Sequence, residues 1–381
     1  MGDERFGRYL ESFEVPVPVS IRLNPRKSAG LEIIDGERVP WCRNGYYLRQ
    51  RPNFTMDPLF HAGCYYVQEA ASMFLDEVLR QHLTPDYSPR TALDLCAAPG
   101  GKSTLLRAVL PEDCVLWSNE PVRLRFNILD ENVTKWGYKN HIVTSQYPRD
   151  FRKAKQKFDL ILCDVPCSGE GMFRKDEATI REWSPQQVEK CWQLQRDIVS
   201  DAWASLNAGG LFIYSTCTFN TKENEENIQW LLSEYDAEVL KVDVEPEWNI
   251  TGSLLERFSE PVYRFIPGIS RGEGLFMCVL RKSGVGPDPK GSLPRPKGEF
   301  APGKSLPRTD LTYPQAMAYL RGEALRLPDE TPRGEVEVCF DGYPLGLAKN
   351  LGTRANNLYP KPWRIRTTHI PTDYEAILRH T

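Results

Sequence analysis

Ala92-Leu-Asp-Leu-Cys-Ala-Ala-Pro-Gly-Gly-Lys-Ser103 reads as a buried strand end, a turn of small residues and a helix start. Small residues let backbone N–H groups approach a ligand closely, and a helix amino terminus favours a negative group beside it. A Walker-type loop would need glycine at position 96 to match Gly101-Lys102-Ser103; Cys96 stands there, which excludes a nucleoside triphosphate loop. The strand–turn–helix rhythm continues outward, with strands expected at 91–96, 115–119, 141–144, 158–163 and 211–216 and a late one at 275–281. Alternating β and α elements predict a parallel sheet with helices on both faces. Pro121 suits a first helical position. Ser184-Pro185-Gln186-Gln187 is a capping box ahead of a helix ending at Gly209-Gly210, and Asn220 followed by Glu223 opens another helix. Glu120, ending the second strand, is placed to accept hydrogen bonds from ribose hydroxyls, as acids do in dinucleotide folds.

Two further segments put a cysteine just past a strand. Asp164-Val165-Pro166-Cys167 follows the strand at 158–163, and Ser215-Thr216-Cys217 ends the one at 211–216. Open α/β sheets gather ligands and reactive groups outside the carboxyl ends of their strands. Two thiols and an aspartate there suggest a nucleophile, a helper and a proton-handling carboxylate in one cleft. Such a set suits methyl transfer to a pyrimidine. C5 of cytosine is a poor nucleophile until a thiolate adds at C6, and that addition needs a lowered thiol pKa and a group that stabilises the charged base. Asp164 is the candidate for holding N3 and the exocyclic amine. Cys114, Cys163, Cys191 and Cys278 read as small core hydrophobes.

The chain has 381 residues, 41% hydrophobic and 26% charged, with a net charge of −3, so any nucleic-acid surface must be local. Ten cysteines without a CxxC pair or a Cys/His cluster give no zinc pattern and too low a density for a secreted disulfide scaffold. A reducing cytoplasm is the simplest setting, and no long apolar run predicts a membrane span. Residues 1–65 are strand-and-turn-like, and Val19 to Asn24 alternates as a half-buried strand would. Positions 68–83 read as an amphipathic helix. The catalytic region is expected at 66–282, a Gly/Pro/Lys/Arg-rich linker at 283–308 and a small separate module at 309–381.

The runs DLCAAPGGKS (94–103), CDVPCSGEGMFRKD (163–176) and YSTCTFNTKENEENI (214–228) resemble the Sun-type RNA cytosine-5 methyltransferases, in the RsmF-like (YebU-like) branch that acts on small-subunit ribosomal RNA. The likeness extends over 19–281 and includes Ser20-Ile-Arg-Leu-Asn24 and Tyr65-Tyr-Val-Gln-Glu-Ala-Ala-Ser72. It implies an α/β, Rossmann-like core that binds S-adenosylmethionine, flanked by a strand-rich N-terminal RNA-binding region and a C-terminal PUA-like module. It implies Cys217 as nucleophile, bonded covalently to C6 of a cytidine, and Cys167 as the thiol that aids product release. Cofactor contacts carry over to Cys96, Ala97, Ala98, Pro99, Gly100, Gly101, Lys102, Glu120 and Asp164. The implied partner is RNA, 16S ribosomal RNA or the small subunit, with no metal and no membrane, the protein acting as a monomer. One departure stands out: the family often has an aspartate near the adenine after the third strand, where this chain has Tyr147, with Asp150 offset by three.

Between Gly342 and Thr372, Lys349, Arg354, Lys361, Arg364 and Arg366 are interleaved with Tyr343, Tyr359 and Trp363 and with no acid. That pattern suits phosphate contacts and base stacking, and Asp341 to Lys349 resembles the PUA-like module of the same branch. Arg22, Arg26, Lys27, Arg49 and Arg51 form a candidate second basic surface, and Gly169 to Asp176 a loop bordering an unpaired target base. A DNA cytosine-5 methyltransferase would use Cys167 and carry a large target-recognition insert, which Cys217 and the chain's organisation oppose. A non-catalytic RNA-binding factor is opposed by the intact cysteines, Asp164 and cofactor loop. A transfer-RNA target would share the same core.

Overall fold

The structure, a computed structural model, describes residues 1–284, 306–367, 369–371 and 373–381. Most of the expected linker lies outside them. Five strands pair in parallel: Thr91–Asp94, Val115–Asn119, His141–Thr144, Phe158–Asp164 and Leu206–Thr216. Across the sheet the order is 141–144, 115–119, 91–94, 158–164, 206–216, then antiparallel Leu275–Lys282 and Ala237–Val239, with Tyr263–Phe265 also on 275–282. Successive side chains leave opposite faces. Ala92, Leu160, Leu162 and Ile213 join one core under helices Leu75–His82 and Gly101–Val109. Leu93, Ile161, Cys163 and Tyr214 join the other under Pro185–Ser205 and Glu225–Glu234. Burial on both faces explains why these strands read as unbroken apolar runs. Strand order reverses between 91–94 and 158–164, which opens a crevice at their carboxyl ends.

Several local expectations shift. The helix expected over 68–83 is a 3₁₀ turn at Ala71–Phe74 followed by Leu75–His82. The Glu69 carboxylate accepts the Ala71 and Ser72 N–H groups and starts the helical turn there. Pro121 is not at a first helical position: Glu120 accepts the Val122 N–H and the helix is Arg123–Trp136. Ser184 does cap its helix, through the Gln187 N–H. That helix ends at Ser205, however, and Gly209 (φ 70°) lies in a bulge where the register with 158–164 shifts. Asn220 and Glu223 close a turn on each other, and the helix begins two residues later as Glu225–Glu234.

The N-terminal region is an antiparallel sheet in the order Gly36–Arg38, Gly45–Leu48, Val19–Leu23, Tyr65–Val67. Val19–Leu23 is not half-buried: Ser20 to Leu23 are all buried. Arg22 passes under the catalytic domain, its guanidinium 4.6 Å from the Trp136 ring centre and bonded to Gln68 Oε1 (2.7 Å), Thr104 Oγ1 (2.6 Å) and the Gly101 carbonyl (3.2 Å). Lys27 donates to the Ala62 and Lys135 carbonyls. Neither residue belongs to a basic surface.

The C-terminal residues pack differently from a separate module. Arg308–Asp310, Gly334–Phe340, Tyr343–Asn350 and Ala355–Asn357 form a sheet beside helix Tyr313–Leu320. Its apolar face shares one core with the N-terminal region: Ile21, Leu59 and Tyr65 pack with Met317, Tyr319 and Val336. Leu378–His380 then pairs antiparallel with Leu31–Ile33. Chain order hides this pairing because the two halves of the core lie at opposite ends of the sequence. Tyr359 is buried in that core, which removes it from the expected stacking surface, whereas Lys349, Arg354, Lys361 and Arg366 are exposed.

Candidate active site

The crevice holds a cavity of about 170 Å³ whose lining includes Tyr66, Gln68, Asp94, Cys96, Lys102 and Asp164. The turn before helix Gly101–Val109 supplies one wall. Gly100, at φ 115°, occupies a conformation closed to residues with a Cβ, and a Cβ there would stand 3.3 Å from Leu129. Arg125 and Asn132, on helix Arg123–Trp136, hold the carbonyls of Ala98 and Pro99 from outside. Of the expected cofactor residues, Cys96, Ala97, Ala98, Pro99, Gly101, Lys102 and Asp164 line the cavity, and Gly100 and Glu120 do not. Glu120 is buried beside it, accepting the Val122 N–H and lying 3.4 Å from Arg125 Nε. Tyr147 is exposed and Asp150 accepts its N–H, so both serve the start of helix Pro148–Lys153.

Lys102 Nζ lies 2.9 Å from Asp164 Oδ2. Burial would pull the ammonium below its ordinary pKa, but Asp164 outweighs that and holds Lys102 charged. Asp94 accepts from Ser103 Oγ at 2.5 Å with Oδ2, while its Oδ1 is buried without a partner. Gln68 Nε2 is likewise buried and unpaired, and because Gln68 Oε1 is held by Arg22, the amide donor is the free end. Sequence reading missed Gln68 and Tyr66; only their place in the segment Tyr65 to Ser72 marked them.

Burial raises the Asp94 carboxyl from 3.8 to about 7, with Ser103 opposing and Asp164 adding to the rise. A raised carboxyl pKa favours the folded state in the protonated form, so this contribution is full below about pH 4 and is lost as pH rises through about 7. Asp94→Asn, neutral at every pH, is therefore expected to melt higher than the parent at about pH 8, the difference closing towards about pH 4. Melting curves across that range test it; a difference independent of pH would contradict the assignment.

Beside this cavity the two strand-end cysteines meet. Cys167 Sγ and Cys217 Sγ are 3.1 Å apart, and the Cys217 N–H points to Cys167 Sγ at 3.4 Å. The Cys167 thiol, donating, holds Cys217 below the ordinary thiol range; burial opposes this, Asp164 and Glu223 oppose it further, and Lys102 assists. Cys167 is correspondingly held well above that range. The electrostatics of the pair thus favour the thiolate on Cys217 and the thiol on Cys167. Cys96 stays neutral because burial raises it. Cys114, Cys163, Cys191 and Cys278 are buried, and burial pushes Cys114 to about 12 and Cys191 to about 11, outside the reactive range. Among the described residues no His/Cys/Asp/Glu cluster could hold a metal ion, and no helix is long and apolar enough to cross a membrane.

The loop after Cys167 packs directly on the turn after Cys217. The Gly171 N–H donates to the Cys217 carbonyl (2.8 Å), and Glu170 accepts the N–H groups of Phe219 and Asn220. A Cβ on Gly171 would come within 2.7 Å of both the Cys217 carbonyl oxygen and Gly274 Cα, so only glycine allows this approach.

A switch-point crevice with a small-residue turn, on a sheet ending in an antiparallel strand, defines a Rossmann-like, S-adenosylmethionine-dependent methyltransferase core. The chain belongs to the 16S rRNA methyltransferase RsmB/F family, whose model matches 81–281. The N-terminal domain of 16S rRNA methyltransferase RsmF matches 1–70, and the methyltransferase RsmF PUA domain matches 307–365. Ribosomal RNA small subunit methyltransferase F of Pectobacterium atrosepticum is 34% identical over 305 residues, covering 76% of this chain and 60% of that one. The protein of the same name from Klebsiella pneumoniae is 28% identical over 446 residues, covering 93% and 92%. Among solved structures, a methyltransferase homolog from Pyrococcus horikoshii superposes with a TM-score of 0.60 at 28% identity, covering 73% of this chain and 91% of that one.

The residues present fit the cofactor of this family. An unpaired carboxylate oxygen on Asp94 and an unpaired amide donor on Gln68 face one cavity. They suit the ammonium and carboxylate of a methionine moiety.

Proposed function

We propose that this chain methylates C5 of a cytidine in 16S ribosomal RNA through a covalent Cys217–C6 intermediate. One observation carries the reading: two strand-end thiols, 3.1 Å apart, beside a cavity lined by Lys102 and Asp164. The RNA target is supported by the names of the relatives.

S-adenosylmethionine, when bound, supplies an electrophilic methyl group. Cys96 to Lys102, Asp94 and Gln68 would hold it, with Glu120 at the ribose. The Cys217 thiolate adds to C6 and the C5–C6 π electrons shift to C4–C5 as an enamine. C5 then takes the methyl group as the bond from that methyl to the sulfonium sulfur breaks, leaving a neutral thioether. Asp164 has one oxygen on Lys102, leaving the other to accept an N–H of the base. Lys102 offsets the charge that builds on the ring. Solvent water takes the proton from C5, its electron pair re-forms the C5–C6 double bond, and the Cys217–C6 bond breaks with the sulfur leaving as thiolate. Cys167, in hydrogen-bond contact with the departing sulfur, assists that last step.

Bisulfite sequencing tests target and position together. Incubation of unmodified 16S and transfer RNA with the protein and S-adenosylmethionine is expected to protect a cytidine in 16S RNA. Full conversion of 16S RNA, or protection confined to transfer RNA, would overturn the assignment.

The exposed cations of the C-terminal sheet are the proposed phosphate contacts. Because 309–381 completes a shared core, charge reversal is a cleaner test than deletion. Replacing Lys349, Arg354, Lys361 and Arg366 by glutamate should weaken RNA binding and make its salt dependence shallower, by ~0.7–0.9 in slope for each phosphate no longer neutralised. Calorimetric affinity for S-adenosylmethionine should not change. An unaltered salt slope would mean these side chains do not touch RNA.

A further inference from the structure

Glu223 lies between the Cys217 turn and helix Glu225–Glu234, fully buried, and its bonded partners among the described residues include no cationic side chain. Its carboxylate accepts four hydrogen bonds from neutral donors. Oε1 takes Ser168 Oγ and Asn220 Nδ2 (2.7 Å), and Oε2 takes the Ser168 N–H (3.0 Å) and Gln195 Nε2 (2.6 Å). The same Gln195 amide donates to the Pro166 carbonyl at 2.9 Å. Pro166 and Ser168 flank Cys167, and Asn220 belongs to the turn that carries Cys217. One carboxylate therefore fixes both sides of one thiol and the turn bearing the other. Burying an unpaired charge is costly unless each of its lone pairs is met. Here the donors that meet them all come from, or bond to, the two cysteine segments.

We propose that Glu223 is a positioning residue that holds the Cys167 and Cys217 thiols in hydrogen-bond contact, acting through Ser168, Gln195 and Asn220. This rests on the reading that the thiol pair carries methyl transfer. Glu223 also acts on the pair through its charge. The groups facing the thiols are Lys102, which favours the Cys217 thiolate, and Asp164 and Glu223, which disfavour it. Tyr214 and Cys191 stand nearby and are kept neutral by burial. Loss of its hydrogen bonds misplaces the pair and weakens the Cys167 contact, the largest influence lowering Cys217. This outweighs the relief from losing the Glu223 charge, so Cys217 should become less acidic. A residue that merely stabilised the fold would do neither.

The test uses the full chain with Glu223→Gln and Glu223→Asp. The first readout needs no RNA: the pH midpoint for iodoacetamide alkylation of Cys217, followed by peptide mass spectrometry. Glu223→Gln should move that midpoint to higher pH, because the Cys167 contact loosens, while single-turnover methyl transfer slows about 10- to 100-fold, as expected for misplaced reacting groups. Glu223→Asp keeps a carboxylate acceptor for the same donors, so the midpoint should move back towards that of the parent and part of the rate should return. Affinity for S-adenosylmethionine should be unchanged in both. A Glu223→Gln protein with the parental midpoint and rate would overturn the proposal. Should the Glu223 variants not fold, Ser168→Ala decides: a slowed transfer with intact cofactor affinity supports it, and a parental rate overturns it. If instead the parent and Cys217→Ala methylate equally, the underlying reading fails, while the alkylation midpoint still reports on Glu223.

Discussion

Cys217→Ala is expected to abolish both methyl transfer and the covalent protein–RNA species, because the proposed mechanism gives the attack on C6 to the Cys217 thiolate. Cys217→Ser should do the same, since a hydroxyl is far less nucleophilic than a thiolate. Cys167→Ala should behave differently. On the proposed roles it leaves the attacking sulfur in place but removes the thiol, 3.1 Å away, that would assist its departure. Addition and transfer then proceed while release stalls, and a protein–RNA adduct accumulates on denaturing gels with S-adenosylmethionine present. A second consequence follows from the same pairing of sulfurs. Without the Cys167 donor, Cys217 loses the main influence that lowers its pKa, so the acid limb of adduct formation should move to higher pH. An adduct trapped by Cys217→Ala and absent from Cys167→Ala would reverse the roles and assign attack to Cys167.

Arg264→Leu is expected to be among the most destabilising single substitutions in the chain. Arg264 and Glu225 are fully buried and bonded through two contacts of 2.6 and 2.7 Å, with a third bond from Arg264 to the Phe219 carbonyl. Removing the guanidinium strands a carboxylate inside the protein, at a cost of about 3–5 kcal/mol. Against a typical total of about 5–15 kcal/mol, that loss should be plain in urea denaturation. The double variant with Glu225→Leu should recover much of it, because an apolar pair avoids the desolvation penalty. A single variant within about 1 kcal/mol of the parent would show that water reaches Glu225, contrary to its burial.

The central sheet was legible because its strands are buried on both faces. Runs such as Phe158 to Cys163 have no competing reading, and their ends fell within a residue or a few of those observed. The place of Cys167 and Cys217 was legible for a related reason, since each lies just past the end of such a run. Helix ends were less so. Pro121 and the Asn220/Glu223 pair carry helix-start chemistry, but nearby carboxylates used the same hydrogen bonds for turns. Arg22 is the clearest failure. An arginine in an alternating strand reads as solvent-facing, and only the approach of Gln68, Gly101 and Thr104 from a distant part of the chain makes its burial tolerable. Glu223 was read as a local signal for the same reason: its donors come from three separate segments.

Arg22 also ties together two events that the chain could have kept apart. It bridges the N-terminal sheet to the first turn of the helix that follows the cofactor loop, and Gln68, which it orients, faces the cavity. Any free energy by which S-adenosylmethionine steadies this junction must return, by thermodynamic reciprocity, as an equal change in cofactor affinity whenever the N-terminal region is steadied or disturbed. An RNA that grips that region would therefore alter the affinity for its own methyl donor without touching it.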